Sequence, residues 1–412
     1  MLFPFSLLAS VTTSSSNLGA DKAEVLSLSD KYTIKIAKAN KNGYSINAFK
    51  RLDTRGKPLI LLNSFPLNSK LSKAPAETIV LDVRDGQMSS ISEIRVEGKP
   101  ADIVLLSPKG VNCNGCSFVN TERVTIATGT PIYDDENLKN VKLSTGRVTI
   151  SGQGLSATGA SLLDIAAGQV VLDAPLNMNM KGREVTRAKT IVKELDVAGD
   201  LDVSNGDIQI IVGDNLYRYD DRLSDASFDH FRGAKSIHLT NKALITAGNV
   251  HIESTYVDGT IQIDGKIVTK GNWSYTGRYN DLSIVPLESI KVKANGNIIL
   301  TNQLVAANQI EIESTRDVRV TPVRGGIQFG RENILSAKAD IVAVGTFENT
   351  GAIVAGDVYL LANSIVNEGD VEGSDELYVN GKASVKNQFG GVLIGENMLL
   401  KSNGTVTNGS LY

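Results

Sequence analysis

From Tyr32 onward the chain alternates apolar and polar residues in short runs, punctuated by Gly, Asn and Asp. Val148-Thr-Ile-Ser151, Ile208-Gln-Ile-Ile211, Val250-His-Ile-Glu253, Ile310-Glu-Ile-Glu313 and Val318-Arg-Val320 are examples. A period of two, rich in β-branched residues, predicts strands, because successive side chains leave a strand on opposite faces. Helical periodicity is scarce: Ser156 to Ala167 and Ala337 to Val342 are too short or too poorly patterned. The chain is expected to be nearly all β.

The strands repeat. Leu239 to Ser254 aligns, with one deletion, with Leu300 to Ser314, and the 60 residues between Ser254 and Ser314 read as three repeats of 20. Further on, Asn349, Asn367, Asn387 and Asn408 follow at 18, 20 and 21 residues, the first two in Asn-x-Gly turns. A period near 20 made of strands and turns predicts a β-solenoid, in which each coil stacks on the next and apolar side chains form inward ladders. Asn and Gly are expected at corners with left-handed backbone. A β-sandwich would also give short strands, but it has no reason to repeat at 20 residues. A parallel β-helix is therefore the expected fold.

Composition narrows the classes. The 38 glycines against 10 prolines suit stacked strands that need their N–H groups. With 42% apolar and 21% charged residues the chain is too hydrophobic for disorder. Lys+Arg number 42 and Asp+Glu 45, a net charge of −3, which argues against a nucleic-acid partner. No run of about 18 apolar residues is present to span a membrane as a helix. Met1 to Val11 looks like the apolar core of a secretory signal, with small-residue cleavage sites near Ala9 or Ala20, but it lacks a basic start. Residues 1–31 are read as signal-like or disordered. The length allows two or three domains or one long architecture, and the repeat favours the second, as one continuous coil.

One segment stands apart: Ser107-Pro-Lys-Gly-Val-Asn-Cys-Asn-Gly-Cys-Ser-Phe-Val-Asn-Thr-Glu-Arg-Val-Thr-Ile-Ala-Thr-Gly-Thr-Pro131. It resembles the central motif of the haemagglutination-activity, or two-partner secretion, domain of filamentous-haemagglutinin-like exoproteins. Pro108, Gly110, Cys113, Gly115, Cys116, Phe118, Asn120, Thr121, Arg123, Thr128, Gly129 and Pro131 match that motif, while Ser107, Lys109 and Ser117 depart from it. Upstream, Asn42 to Phe49 and Leu61 to Ser64 resemble the family's opening and Ile94 to Leu106 resembles the strand leading into the motif, while Gly152 to Pro175 resembles its later coils. The family's first motif, Asn-Pro-Asn-Leu, is not recognisable, and Ala74-Pro75-Ala76 is its nearest remnant.

The resemblance implies a right-handed parallel β-helix of about 20 residues per coil, with extra-helical strands and hairpins in the N-terminal domain. It implies a secretion domain over 32–235 and a repeat shaft over 236–412 that is expected to be truncated. Ser107, Pro108, Lys109, Gly110, Val111, Gly115, Phe118, Asn120 and Thr121 would form the segment read by an outer-membrane transporter with periplasmic POTRA repeats. In residue terms, Pro108 presets φ and Gly110 permits a positive φ, so Ser107–Gly110 is a tight turn. Lys109 in place of the usual Asn is expected to weaken an Asx-type hydrogen bond.

Cys113 and Cys116 are the only cysteines and can pair only with each other within this chain. A local disulfide is favoured; unpaired thiols, a redox pair and a metal site stay open. Zinc would want four ligands, and His230, His238 and His251 are few and distant. A disulfide of this spacing would brace the turn rather than the whole fold, and implies an oxidising compartment. Asp134-Asp-Glu136, and Asp220-Asp221 with Arg218 and Arg222, are read as solvated loops.

No catalytic residue, metal, cofactor or small-molecule substrate is expected. The favoured role is a secreted or surface exoprotein, passing the periplasm and serving adhesion or haemagglutination at a host or neighbouring-cell surface. The alternatives are the N-terminal part of a contact-dependent growth-inhibition toxin or a cytolysin, and more distantly a polysaccharide-acting β-helix enzyme.

Overall fold

The computed structural model describes residues 10–13, 23–54, 56–71, 74–84, 87–157, 159–178, 206–213, 216–219, 236–269, 273–276, 283–286, 288–323 and 332–409. Strands dominate them, and the one helical turn is the 3₁₀ segment Ser69–Leu71. Two compact units divide the chain: Met1–Gly168 with Asp214–Ser227, and Gln169–Gly213 with Phe228–Tyr412.

In the second unit each coil contributes a strand to each of three parallel ladders. One inward column runs Ile237, Ile261, Ile298, Val318, Phe347, Ile365, Val385, each paired in register with the next. A second runs Ile245, Ile267, Leu304, Ile334, Ile353, Val371. The third runs Ile252, Val292, Ile312, Ile341, Leu360, Val379. All of these side chains are buried. Alternation sends their neighbours outward, so one period-two pattern fills the core and solvates the surface. Each buried Val, Ile, Leu or Phe contributes about 1.5–3 kcal/mol, and the columns supply most of the cohesion between coils.

The 60-residue interval spans two coils, not three. Ser254 pairs with Ala294, and Ala294 with Ser314. The first step carries an inserted antiparallel hairpin, Trp273–Thr276 with Ser283–Pro286. An insertion at a corner lengthens the repeat without disturbing the ladders. Where none intervenes the step is close to 20, as from Ile298 to Val318 and from Ile365 to Val385.

A second expectation is also corrected. Asn349, Asn367, Asn387 and Asn408 are not left-handed; among the described residues the positive-φ positions other than glycine are Asn120, Asp135, Glu136 and Asp258. They end or continue strands, and the side chains of the first three turn inward to bond the next coil.

The first unit is also a parallel stack. Tyr44–Asp53, Thr78–Val83, Ala101–Leu106, Thr121–Ala127 and Leu162–Ala167 follow one another in one ladder. Tyr32–Lys35, Leu59–Asn63, Ser89–Gly98, Gly110–Val119 and Arg147–Ser156 form the companion series. Among the described residues of 1–31 there are two short strands. Ser10–Thr13 pairs antiparallel with Tyr44–Asp53, and Glu24–Ser27 with Tyr32–Lys35. They occupy backbone groups that would otherwise be an open edge. The candidate cleavage positions Ala9 and Ala20 lie outside the described residues.

A separate antiparallel sheet of Gly129–Asp134, Asn137–Leu143 and Leu216–Arg218 is added to this unit. Its apolar face buries Leu138, Val141, Leu143 and Tyr217.

Candidate functional site

The segment 107–131 occupies most of one coil of the first unit. The strand Ala101–Leu106 ends at a turn closed from both sides by Ser107. The Gly110 amide donates to the Ser107 carbonyl at 2.9 Å, and the Ser107 hydroxyl donates to the Gly110 carbonyl at 2.8 Å. The Ser89 hydroxyl donates in turn to Ser107 Oγ at 2.9 Å. Gly110 has φ of 122°, and a Cβ there would lie 2.3 Å from the Arg147 carbonyl oxygen, so glycine is required twice over. Lys109 is exposed and Pro108 half-buried. The Pro108 carbonyl accepts from Ser144 Oγ, which also donates to the Thr128 carbonyl at 3.0 Å. The Thr128 hydroxyl accepts from the Gly168 amide at 3.1 Å. Successive corners of the coil are thus knitted through three short hydroxyl side chains.

After the turn, Val111 pairs with Ser89 below and Val148 above. Cys113 pairs with Ile91 and Ile150, and Cys116 with Leu155; both registers shift between the cysteines, where Gly115 takes φ of 71°. The strand bends here from one face of the coil to the next. Cys113 and Cys116 are joined as a disulfide across that bend, with Cα atoms 5.3 Å apart and both residues buried. Phe118 follows, buried opposite Ile94. Asn120 takes φ of 61° at the next corner, and its Nδ2 donates to the carbonyls of Val96 and Gly98, both at 3.0 Å. Thr121 is buried at the head of the following strand.

The motif therefore shapes the coil more than it decorates it. Ser107, Gly110, Val111, Cys113, Cys116, Phe118 and Thr121 are buried; Pro108, Gly115 and Asn120 are half-buried; among the motif positions singled out from sequence, Lys109 alone is exposed.

Arg123 matched the motif, but its partners were not foreseen. Its guanidinium is buried against Asp164, with Nε to Oδ2 at 2.7 Å, and under the Tyr219 ring at 4.2 Å from the centroid. Burial works to lower its pKa, but the Asp164 carboxylate and the two neighbouring tyrosines together outweigh this, leaving it raised. Burial likewise pushes the Tyr217 and Tyr219 phenols up. Both tyrosines stay neutral donors at physiological pH.

The acidic stretch at 134–136 is a turn. Asp135 and Glu136 have positive φ at a hairpin tip, with Asp134 paired to Lys139 at 3.0 Å and Asp135 to Lys41 at 2.7 Å. Arg218 is exposed, and Asp220, Asp221, Arg222 and His230 lie outside the described residues. Among the described residues no three His, Cys, Asp or Glu side chains converge as a metal site.

The sequence model of the TPS secretion domain matches residues 10–284. The chain is 24% identical over 382 residues to the 16S rRNA endonuclease CdiA of Enterobacter cloacae, covering 83% of this chain and 11% of that protein. It is 30% identical over 182 residues to a tRNA nuclease CdiA of Escherichia coli, covering 40% of this chain and 6% of the relative. Filamentous hemagglutinin of Bordetella pertussis is 28% identical over 155 residues, 35% of this chain and 4% of that one. The chain thus spans only a small fraction of the length of these relatives. The crystal structure of a filamentous hemagglutinin secretion domain superposes with a TM-score of 0.54 at 20% identity, over 83% of this chain and 98% of that domain, which shows a shared β-helical fold. The chain belongs to the TPS secretion domain family, whose model matches most of it.

Proposed function

We propose that residues 32–235 are the part of this chain that the POTRA repeats of the transporter engage, and that 236–412 is the start of a shaft. The observation that carries this reading is the family match over 10–284, with its motif folded as one knitted coil. In the periplasm the chain is unfolded and offers the segment around Ser107 to Thr121 as an extended strand. Outside, each coil that emerges buries its Ile, Val and Leu columns on the coil before it. Folding supplies a directional pull without nucleotide hydrolysis, because backsliding would re-expose that apolar surface. The exported protein serves adhesion, with the shaft holding the active region away from the cell. The test is export of the full chain by a co-expressed two-partner transporter. Loss of residues 32–235 should leave the remainder in the periplasm, and undiminished export would overturn the proposal.

A second reading is favoured by the alignment of 83% of this chain with a CdiA protein. In that reading the same secretion domain and shaft would carry a growth-inhibiting toxin. A competition assay between producing and susceptible cells separates the two, because an adhesin leaves the neighbour's growth unchanged.

A further inference from the structure

Arg123 lies where the coil meets the added antiparallel sheet. Its Nε donates to Asp164 Oδ2, which also accepts from Thr125 Oγ1 at 3.0 Å. These residues sit on neighbouring coil strands, with Thr125 paired to Asp164 in register. The other side of the guanidinium is satisfied by the added sheet. Nη1 donates to the Tyr219 carbonyl at 2.9 Å and Nη2 to the Tyr217 hydroxyl at 3.0 Å. Tyr217 pairs with Val141 in the sheet, and the Tyr219 amide donates to the Lys139 carbonyl at 3.0 Å. The partners from the sheet stand 94 and 96 residues downstream of Arg123.

The order of synthesis and emergence gives this geometry a consequence. With residues 129–143 outside but 216–219 not yet arrived, the added sheet is a lone hairpin, which is marginal in water. The Arg123–Asp164 pair is then open to solvent and weak. Arrival of Tyr217 and Tyr219 adds the third strand, buries both rings, and satisfies the guanidinium with charge-assisted bonds inside a dry site.

We propose that Arg123 is a latch. The return of Tyr217 and Tyr219 to its guanidinium fastens the added sheet to the coil, and the secretion domain becomes rigid only once the chain through Tyr219 is outside the transporter. The latch itself is a property of this fold; its coupling to export rests on the secretion reading above.

Hydrogen exchange on the full chain tests the latch. In the unaltered protein the amides of 137–143 and 216–219 should exchange as one cooperative unit, less protected than the coil strands. Independent exchange of the two segments would overturn the proposal. Arg123→Met should speed exchange in both segments by about tenfold or more while the coil columns keep their protection. Arg123→Lys, which keeps the charge but loses the fork, should fall between. Unchanged protection of the sheet in Arg123→Met would overturn the proposal. If that variant does not fold, Tyr217→Phe removes a single oxygen and should shift both segments in the same direction by less. Export then separates the two readings. Wild-type export of an Arg123→Met chain whose sheet exchanges faster would overturn the coupling alone, whereas failure of the unaltered chain to be exported would overturn the secretion reading.

Discussion

Asn349 and Asn367, on successive coils, are bonded side chain to side chain: Nδ2 of the first donates to Oδ1 of the second at 2.8 Å. Asn367 repeats the bond to Asn387 at 2.8 Å, and Asn387 to Asn408 at 2.9 Å. Each Nδ2 also reaches a backbone carbonyl, as Asn367 does to Gly369 at 2.8 Å. The first three side chains are buried, so an interruption leaves donors and acceptors without water. Asn367→Ala should lower unfolding free energy by about 1–3 kcal/mol in urea titration. Asn367→Asp should cost more at neutral pH, because it brings an unpaired charge into the column. Equal urea midpoints for the alanine variant and the parent would show that the column contributes nothing.

Two glycines serve different ends and should respond differently. A Cβ on Gly369 would lie 2.0 Å from the Gly351 carbonyl oxygen, in the neighbouring coil. Gly390 has open space around it and φ of 91°. Gly369→Ala has to push coils apart and should cost about 3 kcal/mol or more, comparable with severe overpacking. Gly390→Ala meets only local backbone strain and should cost about 1–2 kcal/mol. Gly390→Asn should cost less again, since asparagine tolerates that region. Thermal unfolding of the three variants side by side gives the order.

The sequence made the strands and the C-terminal repeat legible because period-two alternation and the spacing of Asn349, Asn367, Asn387 and Asn408 are local signals. Long-range features were not legible. Nothing near Arg123 points to Tyr217 and Tyr219, since the contact is made only when a strand returns from beyond a later coil strand. The interval from Ser254 to Ser314 was misleading for a related reason: an inserted hairpin adds residues that alternation alone does not distinguish from another coil. The asparagine column was misread because Asn-x-Gly is also a turn signal. Bonding between identical side chains appears only once coils are stacked. At the motif, the backbone requirement at Gly110 is local and legible in sequence, while the closure of the turn by the Ser107 hydroxyl depends on the folded geometry.

The Cys113–Cys116 disulfide closes a loop of three intervening bonds along the sequence. So short a closure restricts the unfolded chain little, by about 2 kcal/mol on the chain-entropy estimate. Replacing both cysteines by alanine should therefore leave a folded protein, with a loss of about that size in urea titration and greater protease sensitivity around 112–117. Loss of all folded structure in the double variant would show that the bridge organises more than its own bend.

Acid sensitivity should be traceable in part to Asp264. Burial acts to raise its pKa, but hydrogen bonds from Thr301 at 2.7 Å, from His238 and from Gln262 at 2.8 Å outweigh it, and the carboxyl is held below its ordinary value of 3.8. A group whose folded pKa is depressed stabilises fully above its unfolded pKa and loses that contribution as pH falls through the folded value. Stability should thus be flat with respect to this group near neutrality and decline below about pH 4. Asp264→Asn should be less stable than the parent at pH 7, and its acid limb should be shallower. An identical pH slope in the two proteins would remove Asp264 from the acid response.

Two outward rows of opposite charge face each other on adjacent coils of the shaft. Lys291 and Lys293 pair in register with Glu311 and Glu313, and Lys291 Nζ lies 3.0 Å from Glu311 Oε1. Within a row the charges are alike, so cross-coil attraction must offset repulsion along the strand. The carboxyls register this: burial tends to raise both, Lys291 holds Glu311 below its ordinary range, and Glu311 helps to hold Glu313 above it. Both partners are about one-third exposed, at 37% and 30%, so solvent screens the pair and its worth is about 0–1 kcal/mol. Lys291→Glu should destabilise by more than that because it sets a third carboxylate beside Glu311 and Glu313, and 1 M salt should recover part of the loss. Adding Glu311→Lys restores the attractive order in reverse, and the double variant should regain stability relative to either single change. Additive losses in this double-mutant cycle would show that the rows pair by geometry alone and that their charges do not help to set the register.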